Sequence, residues 1–122
     1  MQLWIVATRV MEAWQAGKLF IEDRVALSHD SLHLIVGTLV WLAFALLLRR
    51  SVVSLSPWLW AFAVILWNET VDLWTEQWPN PWMQYEQAIK DLVLTMATPT
   101  MLLLAARVRP QLLQARSTRR RV

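Results

Sequence analysis

Six ionisable side chains stand at spacings that could do chemistry. His29 and His33 are four residues apart, with Asp30 between them. Glu69 and Asp72 are three apart, with Asn68 alongside, and Lys90 adjoins Asp91. Residues three or four apart share one face of a helix, so each of the first two pairs would aim at a single point. Two imidazoles and two or three carboxylates suit a zinc or manganese type of site. Crowded carboxylates can also share a proton. The same groups could line a pocket for a polar headgroup, or tie short helices together through hydrogen bonds. The network and the headgroup pocket are favoured over metal, so no metal and no cofactor is expected. The His-x-x-x-His pair lacks the glutamate of His-Glu-x-x-His, which argues against a zinc protease. Ser28, Ser31, Ser51, Ser54, Ser56 and Ser117 show no nucleophile elbow. No catalytic residue is assigned, and the expectation is a non-enzymatic protein.

These groups are carried by an unusual chain. It has 122 residues, no cysteine, two glycines and nine tryptophans; 57% of residues are hydrophobic, 17% are charged, and the net charge is +3. The length suits one domain. Without cysteine there is no disulfide framework, thiolate zinc site or cysteine nucleophile. Two glycines in no Gly-x-Gly or Gly-Lys-Ser/Thr pattern exclude the usual phosphate-cradling loops. High apolar content with abundant amphipathic aromatics indicates a small integral membrane protein.

A spanning helix needs roughly 20 mostly apolar residues. Leu32 to Leu48 reads LHLIVGTLVWLAFALLL, apolar all round and stopped by Arg49-Arg50. The second span is expected to start at Ser56-Pro57, with serine capping and proline in the first turn, and to run to about residue 75 with Glu69 and Asp72 in its second half. Gln77 to Trp82, with Pro79 and Pro81, reads as a turn outside regular helix. The third span covers about 88–106. Within it Pro99 removes a helical hydrogen bond, frees the carbonyl of Thr95 and is expected to kink the helix, with nearby threonine hydroxyls compensating. In residues 1–27, Leu3, Val6, Val10 and Trp14 recur at helical spacing against Arg9, Glu12, Gln15 and Lys18, which reads as an amphipathic helix in the interface, with Gly17 a candidate break.

The expected architecture is therefore all-α: an interfacial helix over 1–27, a transmembrane bundle over 28–106 (spans about 31–48, 57–75 and 88–106), and a basic tail over 107–122. Trp58, Trp60, Trp74, Trp78 and Trp82 fall near span ends and read as interfacial belts; Trp41 and Trp67 lie deeper and read as packing residues. Arg49, Arg50, Arg107, Arg109, Arg116, Arg119, Arg120 and Arg121 lie in segments without acids. Positive-inside then puts them in the cytoplasm and the N-terminus outside, where they would meet anionic headgroups; no aromatic-interleaved basic face indicates nucleic acid. This topology carries His29, His33, Glu69, Asp72, Lys90 and Asp91 toward the outer leaflet at similar depth. Ionisable groups inside spans are costly and usually face a bundle interior or a wet cavity.

The order of features resembles the VanZ-like family of small bacterial membrane proteins. A histidine opens a span (Asp30-Ser31-Leu32-His33-Leu34), a basic turn follows (Arg49-Arg50), the next span ends in an acidic motif (Asn68-Glu69-Thr70-Val71-Asp72), and a further helix opens with aspartate (Lys90-Asp91-Leu92-Val93-Leu94-Thr95). The resemblance covers about residues 28–106. Asp72 stands where glutamine is usual, Thr95 where asparagine is usual, and Thr98-Pro99-Thr100 replaces a glycine-containing helix end. The resemblance implies a bacterial inner-membrane protein of the cell envelope, linked to glycopeptide resistance, with His33, Glu69 and Asp91 as polar positions of interest. The favoured function is a non-enzymatic pocket that binds or senses a lipid or antibiotic headgroup. Alternatives are an accessory subunit of a larger membrane complex, a holin-like pore former and, last, a lipid-acting enzyme; the partners expected are the bilayer and other membrane subunits or further copies in a homo-oligomer.

Overall fold

The computed structural model describes residues 1–112, and no strand occurs among them. The chain forms α1 (Gln2–Glu22), α2 (His29–Leu47), α3 (Leu55–Thr75) and α4 (Pro81–Val108), then a short 3₁₀ turn at Pro110–Leu112. The expected tail arginines Arg116, Arg119, Arg120 and Arg121 lie outside the described residues.

The helix ends follow from local chemistry. Ser28 caps α2 by accepting the Ser31 N–H at 3.2 Å. At its other end Arg49 takes a left-handed conformation, φ 50°. Arg50 N–H reaches the Ala45 carbonyl and Arg49 N–H reaches that of Leu46, which closes a Schellman turn. Asn80 caps α4 by accepting the Trp82 N–H at 3.0 Å, with Pro81 at the first helical position. Pro81 and Trp82 are therefore helical, and α4 begins earlier than expected, because proline at that position forfeits only an N–H that has no helical partner anyway. The same reason lets α3 start at Leu55, ahead of Pro57. Gly17 does not break α1, which runs through to Glu22.

Helices α2, α3 and α4 form the bundle, and α1 packs mainly against the second half of α3. Pairing of His29 with Asp91 and of His33 with Thr95 shows α2 and α4 running parallel, while Trp58 against Thr100 shows α3 antiparallel to α4. Each helix buries a stripe four residues apart: Gly37, Trp41 and Ala45 on α2; Pro57, Ala61, Ile65 and Glu69 on α3; Asp91, Thr95, Pro99 and Leu103 on α4. Trp41, 2% exposed, packs with Ala61, Ile65 and Met96. Trp67 is 48% exposed and faces outward, because it lies two positions from Ile65 and so turns away from that stripe. Trp58 is stacked on Phe62 and donates to Thr100 Oγ1 at 3.0 Å, so it is a packing residue, unlike the exposed Trp60, Trp74, Trp78 and Trp82.

The bundle has an apolar core, but it also buries acids and leaves many large apolar side chains exposed. Glu69, Asp91 and Thr95 are buried, while Leu34, Ile35, Leu39, Leu42, Leu46, Val93, Met101 and Leu104 are exposed. Two helices, α2 and α4, are long and apolar enough to cross a membrane. Helix α3 is equally long, but Asn68, Glu69, Asp72 and its tryptophans lower its hydropathy.

The tightest contact joins α2 to α4. Pro99 has no N–H, so the Thr95 carbonyl lacks its helical donor; α4 nevertheless stays helical through this point. That carbonyl lies against Gly37, where an added Cβ would fall 1.8 Å from the oxygen and 2.6 Å from the carbonyl carbon. The threonine hydroxyls do not cover it as expected: Thr95 Oγ1 bonds instead to the Asp91 carbonyl at 2.5 Å. Small residues let backbones approach this closely inside membranes. Gly37→Ala should therefore cost about 1–3 kcal/mol, the scale of an overpacked core. Gly17→Ala, where an added Cβ meets nothing within 4 Å, should instead gain up to about 1 kcal/mol of helix propensity. Thermal unfolding of both variants in detergent checks this; equal midpoints would refute the close approach.

Candidate functional site

Three helices deliver the polar groups to one end of the bundle: the start of α2, the end of α3 and the first half of α4. The centre is Asp91, 5% exposed. Its Oδ2 lies 3.2 Å from His29 Nε2 and 3.6 Å from His33 Nε2. Gln87, one turn earlier on α4, donates from Nε2 to Oδ1 at 2.9 Å and Oδ2 at 3.1 Å. The two imidazoles meet edge to face with Nε2 atoms 3.1 Å apart.

Proton accounting fixes the state of His33. The Thr95 hydroxyl has one proton, and its partner, the Asp91 main-chain carbonyl, can only accept it. The 2.8 Å contact between His33 Nδ1 and Thr95 Oγ1 therefore has the nitrogen as donor. A neutral His33 then carries its proton on Nδ1 and presents a bare Nε2 lone pair to His29 and Asp91.

Glu69 and Asp72 face this centre from α3. Glu69, 4% exposed, accepts from Asn68 Nδ2 at 3.3 Å. Asp72 forms an ion pair through Oδ2 with Lys18 of α1, and its Oδ1 is buried without a partner. Helix α1 adds two more polar contacts, Trp14 Nε1 to Asn68 Oδ1 at 2.9 Å and Gln15 Nε2 to Glu76 Oε1 at 3.0 Å. Lys90 does not join the expected convergence. It pairs with Asp30 at 2.9 Å, both about half exposed, because neighbouring residues on a helix point about 100° apart and Lys90 cannot share the face of Asp91.

Two cavities adjoin these groups. One, about 480 Å³, is mainly apolar, walled by Trp14, Gly17, Ile21, Val36, Val40 and Ile65, with His33, Asn68, Glu69 and Thr95 at its polar side. The other, about 280 Å³, is lined by Glu22, Glu69, Asp72, Glu76 and Asp91, with Lys18 and His29. Lys18, Glu22 and Glu69 belong to both. The acidic cavity has five carboxylates against one lysine, and that lysine is paired with Asp72.

The sequence reading missed Lys18, Glu22, Glu76 and Gln87. Gln87 is detectable as the residue one turn before Asp91. Lys18 stands on the polar side of α1, but which acid it meets depends on how α1 crosses α3.

Comparison with protein-family models, curated proteins and solved structures finds no match to this chain. The site is therefore read from its own chemistry.

The tautomer of His33 is directly measurable. Nitrogen NMR of the imidazoles at alkaline pH should find neutral His33 protonated at Nδ1, and a proton on Nε2 would contradict the accounting. Thr95→Val, which strands that N–H, should cost about 1–3 kcal/mol of stability in detergent unfolding.

Proposed function

We propose that the chain is a small, non-catalytic membrane protein that holds an amphiphile with an amine-bearing headgroup. The observation that carries the proposal is the pairing of an apolar cavity with an acid-lined one through the shared residues Lys18, Glu22 and Glu69. An acyl chain matches the first, and a cationic group matches the excess of carboxylates in the second.

In this reading α2, α3 and α4 all cross the bilayer. Helix α3 is carried across between its two more apolar neighbours, its own acids turned inward, and α1 lies in the interface across the end of α3. Helix α4, about 42 Å long at roughly 1.5 Å per residue, would extend past a hydrocarbon core of about 30 Å. Arg49, Arg50, Arg107 and Arg109 gather at the end of the bundle opposite the acids. Positive-inside puts that end in the cytoplasm, with the N-terminus outside and the site in the outer leaflet of a bacterial inner membrane. The VanZ-like order of motifs adds support from sequence, with His33, Glu69 and Asp91 as the shared polar positions.

Native mass spectrometry of the protein released from mild detergent tests the proposal. Phosphatidylethanolamine should be retained in preference to phosphatidylglycerol. Glu69→Gln should weaken that retention about tenfold, or roughly 1.4 kcal/mol, and Gly17→Leu should weaken it by filling the apolar cavity. Equal retention of the two lipids, or no effect of either substitution, would overturn it.

A further inference from the structure

We infer that His29, His33 and Asp91 form a binding site for a first-row divalent metal ion of the zinc type. Ligand geometry and proton bookkeeping carry the assignment; His29 and Asp91 also line the acidic cavity of the amphiphile proposal, so the closing experiment uses metal alone.

His29 Nε2, His33 Nε2 and Asp91 Oδ2 make a triangle with sides of 3.1, 3.2 and 3.6 Å. A tetrahedral site with ligands about 2.0–2.1 Å from zinc has ligand–ligand edges of about 3.3–3.4 Å. The triangle is thus one face of such a tetrahedron, and the ion needs only small side-chain adjustments. Two imidazoles and a carboxylate are a donor set that suits zinc, and histidines four apart on one helix face supply two ligands from a single element.

The surroundings prepare these atoms for metal. His33 donates Nδ1–H to Thr95 Oγ1, which leaves Nε2 bare; ligating histidines are generally oriented by such a bond at the other nitrogen. Gln87 donates to both Asp91 oxygens, Oδ1 at 2.9 Å and Oδ2 at 3.1 Å, and so holds the carboxylate with Oδ2 toward the imidazoles. In the metal-free state His29 Nε2 has at most one proton to share between His33 Nε2 and Asp91 Oδ2, so a cation resolves a crowding of acceptors that one proton satisfies only partly. The two nearby lysines are engaged elsewhere, Lys18 with Asp72 and Lys90 with Asp30, so no ammonium group occupies this place. Two of the three ligands, His29 and Asp91, also line the acidic cavity, from which water or a carboxylate can complete the shell. Three protein ligands and one open position make a site that can exchange its metal and a small ligand, unlike a closed structural site.

Cobalt(II) titration of the tag-free protein in detergent reads this site, since four-coordinate cobalt has intense visible bands that the hydrated ion lacks. The intact protein should develop those bands at one equivalent, and added zinc should displace them. His29→Gln and His33→Gln should each weaken cobalt binding more than about 100-fold, and Gln87→Ala about 10-fold, the range for a residue that orients a ligand. His29 is half-exposed at a helix start, so its variant should keep the wild-type helical circular dichroism. Absence of the bands in the intact protein would overturn the inference. So would bands that persist undiminished in both histidine variants.

Discussion

The arrangement depends on one backbone contact, the Thr95 carbonyl of α4 against Gly37 of α2. Pro99 releases that carbonyl from the helical ladder, and Gly37 is the residue without a side chain that lets it approach. The contact sets the separation and register of two parallel helices. One turn away, on the same two faces, His33 meets Thr95 and the pair His29–Asp91 closes. A shift of α4 by one residue would turn Asp91 away from both imidazoles. The polar site is thus a consequence of how the helices pack, and it needs no loop to assemble it.

The burial of acids beside an apolar core follows from the same packing. An isolated carboxylate in a low-dielectric interior is prohibitively unfavourable, so it must be paired or hydrogen-bonded. Asp91 is supplied by Gln87 and His29, Asp72 by Lys18, and Glu69 by Asn68. With the acids of α3 and α4 directed inward, the helices can then present leucine, isoleucine and valine outward. Helix α1 completes the arrangement. Its Trp14, Gln15 and Lys18 bind the polar end of α3, while Gly17 and Ile21 wall the apolar cavity. Its Lys18 and Glu22 line both the acidic cavity and the apolar one.

Much of this was legible in the sequence. The apolar run from Leu32 to Leu48, the stop at Arg49-Arg50 and the release of the Thr95 carbonyl by Pro99 all have local causes. The i, i+4 histidines and the placement of Asp91 at the level of α2's first turn follow from helix periods and loop order. Other features depend on packing and were not readable. Gly37 has no signature in one chain that distinguishes a contact glycine from a tolerated one. Lys90 was grouped with Asp91 by adjacency, although helical geometry sends the two in different directions. Trp58 packs against Phe62 and Thr100 while Trp67 faces outward, because depth along a helix does not specify the face. Lys18 became part of the site only through the crossing of α1 over α3, a long-range relation that periodicity does not encode.

The central claim is that the polar groups face inward and the apolar faces of α2 and α4 meet lipid. The chain has no cysteine, so single cysteines can carry spin labels without background. Collision of the label with oxygen, compared with a water-soluble nickel chelate in reconstituted bilayers, reports whether each site is in lipid. Leu39 and Val93, both exposed on the bundle, are the decisive positions. The account predicts high oxygen access and little chelate access at both. Strong chelate access at these two positions would contradict it, because those faces would then lie in water.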